Sequence, residues 1–157
     1  KGIEIEEDIV EDENPSLNVN THIEYKYVDD DNLKIEIHRM INKITSIELL
    51  NQIKEEIEDR FGKLNEDLII YMYEELFESM KKEKGIESVV QTDWYTELVF
   101  DDERTKTIKP DELFVKAYKI SKNFKLSYIN RRLRLKLLYD MLDKHWIFYI
   151  IDLLNNI

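Results

Sequence analysis

The stretch SIELLNQIKEEIEDRFG, residues 46–62, carries a start signal, an apolar stripe, an acidic face and a stop signal together. Ser46 is a good N-cap, because its hydroxyl can accept from the free amides of a first helical turn. Glu48 places negative charge in that turn, and Gly62 stands where a helix needs a left-handed C-terminal residue. Ile47, Leu50, Ile53, Ile57 and Phe61 recur at spacings of three and four and so share one face. Glu48, Lys54, Glu55, Glu58 and Asp59 fall largely elsewhere. The spacing predicts one complete helix with one side for a core and an acidic side whose use composition alone does not define.

Working outward, Asp29-Asp30-Asp31-Asn32 lacks the glycine and the glutamate that a calcium loop needs at its sixth and twelfth positions. These short side chains instead suit capping of a helix over residues 33–44, with Leu33, Ile37, Met40, Ile41 and Ile44 facing a core. On the other side, Asn65 caps a helix over residues 66–84 with the stripe Leu68, Ile69, Met72, Leu76 and Met80, ended by Gly85. Turns this short predict helices packed side by side as antiparallel neighbours.

After Gly85 the period changes. Residues 86–91 and 94–100 are rich in β-branched and aromatic side chains, with Thr92-Asp93 as a reversal between them. Asp101 to Arg104 reads as a polar turn, and Pro110 opens a short helix through Leu113, Phe114, Ala117 and Ile120. Leu133, Leu135 and Leu137 alternate with Arg132, Arg134 and Lys136, which predicts a strand over 132–138 paired with one over 124–128 through a turn at 129–131. A last helix is expected over residues 140–155. The order of elements indicates an α+β fold, a helical layer packed on a small antiparallel sheet. Upstream, Leu17, Val19, Thr21, Ile23 and Tyr25 alternate with polar residues as in a half-buried strand. Residues 1–14 hold seven acidic residues and one lysine, the composition of a solvated linker with a short strand at residues 2–5. The expected division is an acidic linker, 1–16, and a domain, 17–157.

The 157 residues suit one domain, and 43% hydrophobic with 36% charged residues describes a folded chain. No run approaches the length of a membrane span, and the acidic start is unlike a secretory signal, so no membrane partner and a cytoplasmic location are expected. With no cysteine there is no disulfide, thiolate metal site or cysteine nucleophile. A net charge of −11 repels nucleic acid and favours docking on a basic protein surface.

Catalytic signals are missing. Gly2, Gly62 and Gly85 make no phosphate-binding loop, and His22, His38 and His145 have no metal-site spacing. Carboxylates are too abundant for any pair to be singled out as acid and base. No catalytic, cofactor-binding or metal-binding residue is therefore expected. Trp94 and Trp146 fall on apolar faces and are expected in or beside the core. The basic residues Arg131, Arg132, Arg134 and Lys136 gather on one strand, and they define the alternative function, an accessory nucleic-acid-binding domain.

The pattern E-x-x-D-R-F-G at Glu56 to Gly62 resembles the signature of the C-terminal domain of bacterial transcription-repair coupling factors. Residues 17–28, 30–44 and 84–86 are similar to that family's leading strand, its next helix and its helix-to-strand junction. Leu98-Val99-Phe100 and Leu133-Arg134-Leu135 fall at its strands. This chain has Lys63 and Asn65 where the family usually has prolines. The resemblance implies a parent that is an ATP-dependent DNA translocase, with ATP and magnesium in upstream motor domains. Such a parent displaces stalled RNA polymerase and recruits nucleotide excision repair. The domain itself is implied to be non-catalytic and autoinhibitory, docking on the parent's N-terminal module similar to the excision-repair helicase subunit. It thereby masks the surface used by the damage-recognition protein. Glu56, Asp59 and Arg60 are then the partner-contacting residues, and Phe61 and Gly62 their structural support.

Overall fold

The computed structural model describes Tyr27 and residues 30–157. The expected linker over 1–16, the strand over 17–25 and His22 lie outside the described residues. The class is α+β, as expected: six helices and one four-stranded antiparallel sheet among the described residues. These residues fall into two compact units, one ending at Met80 and one starting at Lys81.

The first unit is helical. Helix α1 spans Asp31–Ile41, with the Asp30 carboxylate accepting from Asn32 N at 2.8 Å, so the acidic run is a cap. The helix stops three residues earlier than expected, at the Asn42 C-cap, yet Ile44 beyond it is still buried. Helix α2, Ile47–Phe61, begins at Ser46, whose Oγ accepts from Leu49 N at 3.1 Å. It buries Leu50, Ile53 and Ile57 and packs on α1. Asn65 caps α3, Glu66–Glu83, its Oδ1 accepting from Leu68 N at 2.9 Å.

The α3 stripe is wider than the sequence spacing implies. Ile70, Tyr71, Glu74 and Phe77 are buried beside Leu68, Met72, Leu76 and Met80, while Ile69 is half-buried. A single-stripe model presumes one wet face, and more than half of this helix's circumference is covered.

The second unit holds the sheet. Strands β1 (Ile86–Gln91) and β2 (Tyr95–Phe100) form one hairpin, and β3 (Phe124–Ile129) and β4 (Arg132–Leu138) the other. The spatial order is β1-β2-β4-β3. Thr92 closes the first turn, its Oγ1 accepting from the amides of Trp94 and Tyr95 at 3.0 and 3.1 Å. In the second, Asn130 and Arg131 both have positive φ, 53° and 65°, the two-residue geometry that matches strand twist. Arg131 is therefore a turn residue, not part of the strand face. The period-two reading of β4 holds, with Leu133, Leu135 and Leu137 buried on one face.

Three sequence expectations need correction. Residues 102–107 form a helix, α4 (Asp102–Thr107), because the Asp101 carboxylate accepts from Arg104 N at 2.7 Å and starts it. The last helix, α6, spans Trp146–Leu154 and starts well after residue 140, at a His145 cap; Met141, at φ 63°, interrupts any earlier helix. Trp146 is buried, but Trp94 is 73% exposed at the β1–β2 turn, outside the core. Helix α5, Pro110–Ile120, begins at the proline as expected, buries Leu113 and Ala117, and packs against β3 and α6.

Candidate docking face on helix α2

A helix turns 100° per residue, so Glu48, Gln52, Glu55, Glu56 and Asp59 fall within one narrow sector of α2, opposite the Leu50–Ile53–Ile57 stripe. All five are exposed. Four of them are carboxylates, and the helix's Lys54 lies outside the sector. Glu56 and Asp59 thus belong to a longer acidic stripe. Glu48 and Glu55 belong to it too, a membership that the i, i+4 and i, i+7 spacing from Glu48 already encodes. Asn51, Gln52, Lys54, Glu55 and Glu58 line a shallow open depression along its flank.

Arg60 is used within the domain. Its Nη1 donates to Glu36 Oε2 of α1 at 2.7 Å, both side chains being partly exposed. That hydrogen bond holds the Glu36 carboxyl below its ordinary range and raises Arg60, with Glu56 adding attraction. The Arg60 guanidinium also lies over the Phe61 ring, 4.9 Å from its centroid. Phe61, expected on the core-facing stripe, is half-buried under that cation, while Ile57 and Leu64 beside it are fully buried.

Gly62 has φ 96° and ψ −179°. This is the extended region of positive φ that only glycine adopts readily, more demanding than the left-handed helical cap. A Cβ there would meet nothing within 4 Å, so the requirement is set by the backbone. The turn is tied down twice: Gly62 N donates to Glu58 O at 2.9 Å, and the Tyr27 hydroxyl donates to Gly62 O at 2.8 Å. Burial, with Glu58 nearby, raises the Tyr27 hydroxyl above its ordinary range and keeps it protonated for that bond. Asn65, where a proline would stiffen the turn, supplies the α3 cap instead.

On the second unit, the basic strand is internally matched. Arg132 Nε donates to Glu87 Oε1 at 2.9 Å and its Nη1 stands 3.6 Å from Asp102 Oδ1. Arg134 pairs with Glu97 at 3.3 Å, and the Lys136 ammonium sits 4.3 Å over the Tyr95 ring. Arg131 is exposed in its turn. The four cations do not form one free patch.

Among the described residues no group of three His, Asp or Glu side chains is placed to hold a metal ion. His38 lies 2.8 Å from the Tyr71 hydroxyl, and His145 Nδ1 accepts from Ile147 N at 3.1 Å. No helix among the described residues is long and apolar enough to cross a membrane.

An α+β domain with an exposed acidic helix stripe and a glycine-locked turn is the class that this geometry defines. The TRCF domain model matches residues 17–111, more than half of the chain, and the chain belongs to that family. Its fold is similar to that in a crystal structure of the C-terminal domain of transcription-repair coupling factor. The TM-score is 0.69 at 20% identity, covering 88% of this chain and 85% of that one. No curated protein matches the chain.

Proposed function

We propose that this chain is the non-catalytic regulatory domain of a transcription-repair coupling factor, acting by docking on another module of its own polypeptide. The parent is an ATP-dependent DNA translocase that displaces stalled RNA polymerase and recruits nucleotide excision repair. The domain is autoinhibitory: it covers the N-terminal helicase-like module where the damage-recognition protein binds. The observation that carries this reading is the stripe of exposed carboxylates on α2, ending at the DRFG turn, within a chain of the TRCF family.

An acidic stripe on a rigid helix favours a basic protein surface, through complementarity that sets encounter rate and register. Arg60 and Phe61 hold the stripe's C-terminal end through Glu36 and the Gly62 turn. The nucleic-acid alternative is less well supported, because Arg132 and Arg134 are already engaged by Glu87, Asp102 and Glu97.

The test is titration calorimetry of the 157-residue chain against the N-terminal module, with native residues and with Glu56→Lys plus Asp59→Lys. Micromolar or tighter binding weakened at least about tenfold by the reversal supports the proposal. Equal affinity for both proteins contradicts the acidic-face mechanism, and no binding by the native chain contradicts masking.

A further inference from the structure

Helix α4 holds an arginine whose charge the second unit leaves uncompensated. Asp101 N donates to Gly85 O at 2.8 Å, and the Asp101 carboxylate accepts from Arg104 N at 2.7 Å, so the start of α4 is tied to the turn before β1. Gly85 makes this approach possible, because a Cβ there would stand 2.6 Å from Arg104 Cβ and 2.9 Å from its Cγ. The Arg104 stem is thus pressed against that turn, and its course is set before any ligand arrives. Arg104 is half-buried, and its Nε is closed off from solvent with no hydrogen-bond partner. Among the described residues its guanidinium has no ion pair either, whereas Arg60, Arg132 and Arg134 each have one. A cation that has lost water and gained no acceptor is held at a cost, which an anion at its remaining N–H groups relieves.

Arg104 lines a groove of about 180 Å³ together with Thr107, Lys109, Glu112, Lys116 and Ile157, all of the second unit. That volume is below the roughly 300 Å³ at which clefts take drug-sized molecules, so the groove suits a small ion or a single end group. Lys116 Nζ gives one of its donors to Asn156 O at 2.9 Å, and an ammonium keeps two more. Lys109 Nζ stands 3.8 Å from Glu112 Oε2, too far for a hydrogen bond, with both side chains largely exposed. Ile157 O takes none of these donors, because it accepts from Lys84 Nζ at 3.1 Å. Arg104, Lys109 and Lys116 against the one carboxylate of Glu112 leave two positive charges in the groove. The adjoining depression, which shares Arg104 and Thr107, carries Glu83, Asp101 and Glu103, so an anion belongs on the Lys109 and Lys116 side.

We propose that this groove binds a phosphate dianion, either free inorganic phosphate or the terminal group of a small phosphate monoester. A tetrahedral anion with three acceptor oxygens to spare faces a guanidinium and two ammonium groups at once, which a carboxylate with two oxygens does not. Its charge near pH 7, about −1.5 to −2, matches the two positive charges that the groove leaves over. The packed Arg104 stem adds to this, because a side chain already held in place loses little freedom on binding.

Proton–nitrogen NMR of the 157-residue chain, titrated with inorganic phosphate at constant ionic strength, tests the site. The sheltered Arg104 Nε–H signal is expected to shift saturably, with half-saturation at about 1 mM or below. Arg104→Gln, followed at the Thr107 and Lys116 amides, weakens binding at least about tenfold. Lys109→Gln, at an exposed position, weakens it about threefold, and Lys125→Gln, outside the groove, leaves it unchanged. Glycerol phosphate that binds more tightly than inorganic phosphate assigns the monoester, and any other order assigns the free ion. Equal shifts with chloride or with the singly charged dimethyl phosphate overturn the proposal, as does a titration that does not saturate. So does binding that both Arg104→Gln and Lys109→Gln leave unchanged.

Discussion

Glu74 lies on α3 with 2% of its surface exposed, and neither carboxylate oxygen accepts a hydrogen bond. Burial, with the nearby Glu75 and Glu78 of the same helix adding repulsion, pushes its pKa up to about 9, so it is a neutral acid at pH 7. An unfolded glutamate releases its proton near pH 4.5, so between there and about 9 the folded state holds one more proton. Stability therefore falls as pH rises through that window, by up to about 1.4 kcal/mol per pH unit, and is flat below it. Glu74→Gln removes this dependence, leaving the smaller one from Glu75, which burial also raises. Urea unfolding from pH 5 to 8 checks this, with the variant more stable than the native chain at pH 8. A parallel slope in both proteins contradicts it. Gly62 acts at the same scale through its backbone. Gly62→Ala is expected to cost about 1–3 kcal/mol despite open space at the Cβ. Asparagine, which rescues left-handed helical caps, is expected to give no rescue at ψ −179°.

Elements were legible from sequence where their signals are local. Ser46, Asp30 and Asn65 each cap the helix they precede, because a capping bond needs only residues two or three apart. Ser46→Ala is accordingly expected to cost about 1 kcal/mol in thermal unfolding, and no loss would remove the cap from the account. The hairpins were legible because period two and their turn residues agree. What the sequence concealed depended on distant partners or short lengths. Six polar residues at 102–107 carry no stripe, since α4 buries none of its residues, and only the Asp101 cap defines it. Leu64 is a core residue inside a turn, with no period to announce it. Glu74 is buried by the apolar girth of α3, which a single-stripe reading leaves out. In the β3–β4 turn, Arg131 occupies a positive φ that glycine adopts at no steric cost. Arg131→Gly is expected to raise stability by about 0.5–1 kcal/mol, and a loss instead would show that its side chain has a structural contact.

At the scale of the molecule, the two charge patterns have different standing. The basic strand looked free in sequence because its alternation was visible and its partners were not. Glu87, Glu97 and Asp102 come from β1, β2 and α4, brought in by sheet order and a helix that the sequence did not announce. The acidic stripe of α2 was visible as Glu56 and Asp59 because of the DRFG pattern, and the helix extends it to Glu48 and Glu55. The proposed docking of this domain rests on that stripe. Its most direct test is the salt dependence of binding between the 157-residue chain and the N-terminal module. Affinity is expected to fall steadily from low to high salt, and Glu56→Lys with Asp59→Lys to remove most of the affinity and flatten its salt dependence. Binding that ignores both salt and the reversal would contradict it.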